Sequence, residues 1–372
     1  MILGVPREIK DDEYRIAMLP VGVDLLTNAG HKVIVEKGAG LGSGYEDEQY
    51  TAAGATIETN AEAIFENAQI IVKVKEPIGP EHELMRPGQV LFTYFHLAAA
   101  RDVTEACLNR EVTAMAYETL TDAKGQLPLL TPMSEVAGRM SIQEGAKYLE
   151  KPMMGRGILL GGVTGVEPGN VLILGAGVVG TNAARMAAGL GANVVIMDID
   201  IDRLRFLDAV MPANVHTAYS HPHAVADHAI AADLVVGAVL IPGGRTPVLI
   251  AADMLKHMKN GSVIVDVGVD QGGCVETIRP TTHHDPTYIV DGVVHYGVTN
   301  MPGAVGRTST QALCHATQPY VIQLADRLDN ENVKTLVADS PAFASAMNTY
   351  DGMLTNKPVA EALDMQDRLK DG

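Results

Sequence analysis

The ten residues Val171-Leu-Ile-Leu-Gly175-Ala-Gly177-Val-Val-Gly180 restrict what this chain can fold into more than any other stretch. An apolar run of strand type ends in Gly-x-Gly-x-x-Gly, and an Ala-rich helical stretch, Thr181–Gly189, follows. Each glycine has a separate task in that context. Gly175 permits the tight turn out of the strand, Gly177 lets backbone approach a pyrophosphate, and Gly180 lets helix and strand pack closely. The helix start directs unsatisfied N–H groups and a positive dipole end at the phosphates. The next apolar run, Asn193–Asp198, ends in an acid eighteen positions after Gly180. Such a carboxylate accepts hydrogen bonds from ribose hydroxyls and repels a 2′-phosphate. The segment predicts a dinucleotide site with NAD favoured over NADP. Arg203, five residues beyond Asp198, pulls the other way, because a nearby Arg can accommodate a 2′-phosphate. With 37 glycines in the chain a lone match could arise by chance, so the agreement of strand, turn, helix and acid decides the reading.

Short apolar, β-branched runs alternate with helical stretches through most of the sequence, which predicts parallel sheets flanked by helices. In the first part the expected strands are Ile2–Val5, Lys32–Glu36, Ile70–Lys75, Val90–Phe95 and Thr113–Ala116. A second series comprises Val171–Leu174, Asn193–Asp198, Leu234–Gly237, Ser262–Val267, Thr287–Val290 and Val293–Tyr296. Two long helical stretches, Pro132–Leu149 and Thr308–Leu328, bracket that second series. The expected fold is α/β, with two Rossmann-like doubly wound domains of mostly parallel sheet joined by two long helices. The chain leaves the first domain, builds the second and returns, so residues 1–128 with 307–372 form a discontinuous substrate domain around an inserted nucleotide domain, 129–306.

Charge narrows the partners. Forty-five acidic against twenty-eight basic residues give a net charge of −17, a field that repels nucleic acid and anionic lipid. The three cysteines, Cys107, Cys274 and Cys314, form no CxxC pair and no disulfide framework. No stretch approaches the roughly 18 uninterrupted apolar residues that a membrane span needs. These features predict a cytoplasmic protein with no nucleic-acid or membrane partner. The adjacent residues His283-His284-Asp285 lack a spaced partner of zinc-site type, and no metal is expected there.

Open parallel sheets bind ligands beyond the carboxyl ends of their strands, so the strand ends hold the candidate chemistry. Ile70–Lys75 places Lys73 and Lys75 on one face by its period of two, and Val90–Phe95 leads into His96 on the face of Phe92 and Tyr94. Asp270 lies just past Ser262–Val267, and Arg15 sits in the charged stretch Glu13-Tyr-Arg-Ile. Each has a plainer explanation as well. Lysines at strand ends are commonly solvated, a histidine among aromatics is commonly packed, and an aspartate in Gly-Val-Asp-Gln-Gly-Gly can simply make a turn. Arg15 alone reads as surface.

A resemblance gives these residues a common meaning. Gly4-Val-Pro-Arg-Glu-Ile-Lys, Glu13-Tyr-Arg-Ile-Ala, Val72-Lys-Val-Lys-Glu-Pro77 and the glycine segment are similar to the alanine dehydrogenase and transhydrogenase α-subunit family. So are Ile241-Pro-Gly-Gly244, Ser262 to Asp270 and Thr299-Asn-Met-Pro-Gly303, in order along nearly the whole chain. Within that family, the dehydrogenases carry a His after the aromatic segment and an Asp in the later loop, a pair that transhydrogenase subunits generally lack; here these are His96 and Asp270. The resemblance implies reversible oxidative deamination of L-alanine to pyruvate and ammonium. Arg15 and Lys75 would bind the substrate carboxylate or carbonyl, His96 would act as general acid–base, and Asp270 would hold the amine and the attacking water. Met133 and Leu130 would face the methyl group.

The resemblance also implies cofactor contacts at Ser134, Gly175, Gly177, Val178, Val179, Gly180, Asp198, Arg203, Ser220, Val239, Leu240, Val267, Gly268, Val269, Asp270, Arg279, Val298, Thr299, Asn300 and Met301. Ser134 has a second expected role as the N-cap of the helix after Pro132. A homohexamer is implied by resemblance alone. Two other readings stay open: a saccharopine-type lysine-pathway dehydrogenase, and a non-catalytic NAD-binding module.

Overall fold

The computed structural model describes residues 1–240 and 246–370. Ile241–Gly244, one of the resembling segments, lies outside the described residues. In chain order the strands are β1 (Ile2–Val5), β2 (Lys32–Glu36), β3 (Thr56–Glu58), β4 (Ile70–Val72), β5 (Val90–Thr93) and β6 (Thr113–Ala116). Then come β7 (Asn170–Leu174), β8 (Asn193–Asp198), β9 (Val215–Tyr219), β10 (Leu234–Gly237), β11 (Val263–Asp266), β12 (Thr287–Val290) and β13 (Val293–Tyr296). Near the end lie β14 (Met347–Tyr350) and β15 (Met353–Leu354).

The chain divides into two compact units, one formed by Met1–Met133 with Gly303–Gly372 and the other by Ser134–Pro302. It leaves the first unit within the helix Thr131–Tyr148 and re-enters it just before the helix Gly306–Asn330.

The first sheet runs β15-β14-β6-β5-β4-β1-β2-β3 and the second β12-β13-β11-β10-β7-β8-β9. Both contain one pattern. Numbered by appearance, the six parallel strands of each stand in the order 3-2-1-4-5-6, with antiparallel strands added at one edge. The first strand of each set is flanked by the second on one side and the fourth on the other. Helices therefore leave it in opposite directions, and a crevice opens at its carboxyl end. In the first unit that switch lies between β1 and β4, and in the second between β7 and β10.

Composition follows position in the sheet. β4, β5, β6, β10 and β11 are buried along their full lengths and are nearly all apolar, as strands covered on both faces must be. The edge strands β3 and β9 are mostly half-exposed and mix polar with apolar residues. Behind the first sheet, Ile64, Phe65, Leu91 and Phe95 pack with Leu354, Val359 and Met365 from the returning segment. In the second unit Leu172, Val235 and Ile264 pack with Val225, Leu255 and Val275.

The structure shortens two expected strands at their functional ends. β4 stops at Val72 rather than Lys75, because the Glu8 carboxylate takes the amides of Val74 (2.6 Å) and Lys75 (3.3 Å) that a further strand residue would pair. β5 stops at Thr93 rather than Phe95, because the chain turns at His96 into the left-handed region, φ 53°. The period-two alternation thus does not extend to Lys75 or His96, and turns orient both. The helix expected from Pro132 begins at Thr131, so Ser134 lies inside it and is not its N-cap.

Candidate functional site

In the second unit the glycine turn has the predicted construction. Gly175 has φ 101°, and a Cβ there would meet the Ala238 carbonyl oxygen at 2.6 Å. A Cβ on Gly180 would lie 1.8 Å from the Gly175 carbonyl oxygen, so helix and turn touch there without room for a methyl group. Gly177 differs, with no atom of the described residues within 4 Å of such a Cβ and an ordinary φ of −67°. Nothing among the described residues demands glycine at 177, whose backbone is open to close approach by a ligand, and the helix Val178–Gly189 starts there with no side-chain cap on its first amides. These residues fit a dinucleotide pyrophosphate.

The remaining cofactor candidates lie beyond the carboxyl ends of neighbouring strands. Asp198 ends β8, Ser220 follows β9, Val239 and Leu240 follow β10, Val267 to Asp270 follow β11, and Val298 to Met301 follow β13. Asp198 Oδ2 accepts from the Ala176 amide at 2.7 Å, and the Ser220 amide donates to the Asp198 carbonyl at 2.9 Å. Val298 and Met301 are buried, and Asn300 between them adopts φ 59°, a left-handed conformation that asparagine tolerates. The Thr299 amide donates to the Thr281 carbonyl at 3.4 Å. The exposed Arg279 guanidinium sits 4.4 Å over the Tyr288 ring, and its backbone amide donates to the Tyr288 hydroxyl at 2.8 Å.

Asp270 is exposed in a turn that sequence reasoning located without seeing what holds it. Asp266, almost fully buried, accepts from the amides of Gly268 (3.0 Å) and Cys274 (2.7 Å), pinning both ends of the 267–274 loop. Burial pushes its carboxyl up, and those amide bonds partly offset the shift. A Cβ at Gly237 or Gly273 would strike this carboxylate, which is a signal for a buried acid that glycine spacing alone does not disclose.

The first unit collects charged side chains. Arg15, expected at the surface on its own account, is 3% exposed. Its Nε donates to Glu13 Oε1 at 2.6 Å, Nη2 pairs with Glu13 Oε2, and Nη1 lies 3.1 Å from the Met133 sulfur. Burial works against the guanidinium charge, but the Glu13 carboxylate outweighs it and raises the group further.

Lys73 and Lys75, two residues apart, have opposite surroundings. Lys73 is buried between Glu81 (2.8 Å) and Glu8 (3.3 Å), which overcome its burial and raise its affinity for a proton. Glu8 is itself pushed up by burial, offset by Lys73. Lys75 is half-buried, and burial lowers its ammonium below the ordinary lysine range, with the positive Arg15 adding to the effect. Lys73 thus has structural partners, whereas Lys75 is a cation held next to a second cation. A small anion is the natural complement of such a pair.

His96 is exposed beside this pair's strand ends, its ring stacked on Tyr94 at 6.1 Å between centroids. Its left-handed backbone is held by Glu118, whose carboxylate accepts from the amides of His96 (2.6 Å) and Phe95 (3.2 Å). Tyr94 is fixed in turn by its hydroxyl, which donates to the Leu129 carbonyl at 2.5 Å. Glu8, Glu13, Glu118 and Asp266 were all missed by sequence reasoning. They hold backbone or partner charges, and no spacing rule marks that role.

Two doubly wound sheets, one ending in an open glycine turn and the other in buried cations, define a two-domain Rossmann-like α/β protein. The chain belongs to the alanine dehydrogenase/PNT family, whose N-terminal domain model matches residues 4–137 and whose C-terminal domain model matches 141–357. An alanine dehydrogenase of Methanococcus maripaludis is 52% identical over 366 residues, covering 98% of this chain and 97% of that protein. One from Bacillus subtilis is 52% identical over 364 residues, covering 98% and 95%. A solved L-alanine dehydrogenase superposes with a TM-score of 0.93 at 50% identity, covering 98% of this chain and 99% of the other. A transhydrogenase from Sinorhizobium meliloti shares the fold, with a TM-score of 0.80 at 24% identity over 96% of this chain and 99% of that one.

Proposed function

We propose that this protein is an NAD-dependent alanine dehydrogenase, converting L-alanine, NAD⁺ and water reversibly to pyruvate, ammonium, NADH and a proton. The observation that carries the reading is end-to-end identity of about half with proteins of that name, matched at 98% of this chain's length. The charged residues at the strand ends supply its chemistry.

Arg15, kept protonated by Glu13, and Lys75 bind the substrate carboxylate through their two positive charges. His96 takes a proton from the substrate amine, whose lone pair is then free to expel a hydride from Cα. When bound, NAD⁺ supplies the nicotinamide that accepts that hydride. Asp270 holds the nitrogen and the water that adds to the resulting iminium carbon, and His96 moves protons as the C–N bond breaks and ammonia leaves. Burial of Arg15 and half-burial of Lys75 remove competing water, which strengthens their hold on a carboxylate. In the second unit, Gly175, Gly177 and Gly180 shape the pyrophosphate turn, and Asp198 takes the adenosine ribose. The positions beyond β9, β10, β11 and β13 line the rest of the cofactor path. The same reading includes a cytoplasmic location and a homohexamer, which sedimentation of the purified protein checks.

No helix among the described residues is long and apolar enough to cross a membrane. Purified protein should form NADH, followed at 340 nm, from L-alanine and NAD⁺ and consume it with pyruvate and ammonium. Activity should be absent with lactate and much weaker with NADP⁺. NADH binding with no turnover of alanine would overturn the reading and bring forward saccharopine or a non-catalytic role.

A further inference from the structure

Arg203 stands where a side chain could read the 2′ position of a dinucleotide, yet its guanidinium is engaged elsewhere. Nε donates to the Ala176 carbonyl oxygen at 2.7 Å, and Nη2 donates to the Thr181 hydroxyl at 2.8 Å. The two donors form one of the two bidentate edges of the planar fork, the one that includes Nε. Thr181 is 7% exposed and its hydroxyl also lies 3.2 Å from the Ala176 oxygen, so carbonyl, hydroxyl and guanidinium close a small ring. The remaining face of the guanidinium lies 5.3 Å over the Phe206 ring.

Ala176 is the residue between Gly175 and Gly177. Its amide donates to Asp198 Oδ2 at 2.7 Å while its carbonyl accepts from Arg203. An acid from the end of β8 and a base from the next helix therefore clamp the two polar groups of one residue, at the point where two flanking glycines leave the backbone freest to rotate. Both clamps are charge-assisted, the stronger kind of hydrogen bond.

We infer that Arg203 is a positioning residue of the glycine turn: with Thr181 it sets the Ala176 carbonyl and thereby the backbone amides offered to the pyrophosphate, and it does not select between NAD and NADP. The inference rests on the dinucleotide reading of this turn. It assigns cofactor choice to the Asp198 charge, because the Nε edge of Arg203 is committed to the turn.

The test is titration of NADH and NADPH by protein fluorescence or calorimetry on the wild type, Arg203→Met, Arg203→Lys, Thr181→Val, Asp198→Asn, and Asp198→Asn with Arg203→Met. Asp198→Asn keeps an acceptor for the Ala176 amide and removes the charge. Failure of the wild type to bind NADH would remove the dinucleotide reading itself. With that binding in hand, Arg203→Met should weaken NADH about tenfold, about 1.4 kcal/mol, with the cofactor KM rising by more than kcat falls and Arg203→Lys recovering part of the loss. Thr181→Val, which removes the hydroxyl that bonds both Arg203 and the Ala176 carbonyl, should reproduce a few-fold of it. In the Asp198→Asn background, loss of Arg203 should weaken NADH and NADPH by the same factor. Unchanged NADH affinity in Arg203→Met would overturn the inference. So would a loss in Arg203→Met with none in Thr181→Val, which marks direct contact, or a selective loss of NADPH, which marks phosphate reading.

Discussion

The two units share a strand order and differ in what they place at its switch point. Beyond β7 and β10 the chain offers backbone, with an open glycine at 177, a bare helix start, and a carboxylate and a guanidinium both turned onto the main chain of Ala176. Beyond β1 and β4 it offers side-chain charge, with Arg15, Lys73 and Lys75 surrounded by Glu8, Glu13 and Glu81. Topology supplies a crevice in each case, but the residues decide its chemistry. Backbone donors in series suit an extended polyphosphate, since they carry no rotamer entropy and follow its length. Two cations a few residues apart in the fold suit a compact anion, since burial multiplies their field at one point.

Substitutions break this contrast in order of size. Lys73→Met should be the most damaging, because it strands the Glu8 and Glu81 carboxylates without their buried cation; a loss of about 3–5 kcal/mol is expected, read by urea denaturation at neutral pH. A loss under about 1 kcal/mol would mean that the buried pairs contribute no more than exposed ones do. His96→Ala should lower turnover roughly 100-fold or more while leaving NADH binding close to normal. Full activity would remove the histidine from the mechanism and leave Glu118 holding a turn without a task.

The glycine contrast is subtler. Gly177→Ala should fold as well as the wild type or slightly better, by up to about 0.4–1 kcal/mol, while weakening NADH several-fold. Gly180→Ala should lose both stability and cofactor binding, since its methyl group meets main chain. Equal thermal destabilisation by both would show that 177 is glycine for the fold and not for a ligand. The smallest effect is expected at Lys75. Its ammonium is disfavoured in the fold, so Lys75→Met should raise Tm at neutral pH while impairing pyruvate binding. A lowered lysine costs stability when charged in both states, and that cost fades as pH rises from the depressed value to the unfolded value near 10.4. The gain in Tm should therefore vanish above about pH 10.5; a gain that persists there would point to packing.

Much of this arrangement was legible in the sequence because parallel strands buried on both faces are apolar throughout and cannot be disguised. β1, β2, β6, β8, β10, β12 and β13 lie where their apolar runs place them. The strands that escaped notice are the edges β3 and β9 and the late pair β14 and β15. β3 and β9 alternate weakly because solvent covers part of each, and β14 buries Asn348 and Thr349, whose side chains bond backbone instead of completing an apolar run. The candidate site residues Arg15, Lys75, His96 and Asp270 come from residue type and resemblance, but the side chains that hold three of them were not foreseen. Glu13 orients one guanidinium and keeps it charged, Glu118 fixes one turn and Asp266 anchors one loop, and each acts through a contact between residues that periodicity does not connect. The faces assigned to Lys75 and His96 failed for the same reason, since carboxylate-held turns replace the strand ends there.

The returning segment has a consequence for how the molecule comes into being. Ser134–Pro302 is one uninterrupted stretch and can complete its sheet as soon as it has left the ribosome. The other unit has most of its strands made first, yet its core includes Leu354, Val359 and Met365, and β14 pairs with β6 across more than two hundred intervening residues. The earliest-synthesised strands must therefore wait for residues 347–365, with the apolar face of their sheet uncovered meanwhile. Translation arrested between Pro302 and Met347 would spare the nucleotide unit and leave the substrate unit unfinished, a sticky surface for chaperones and proteases to find.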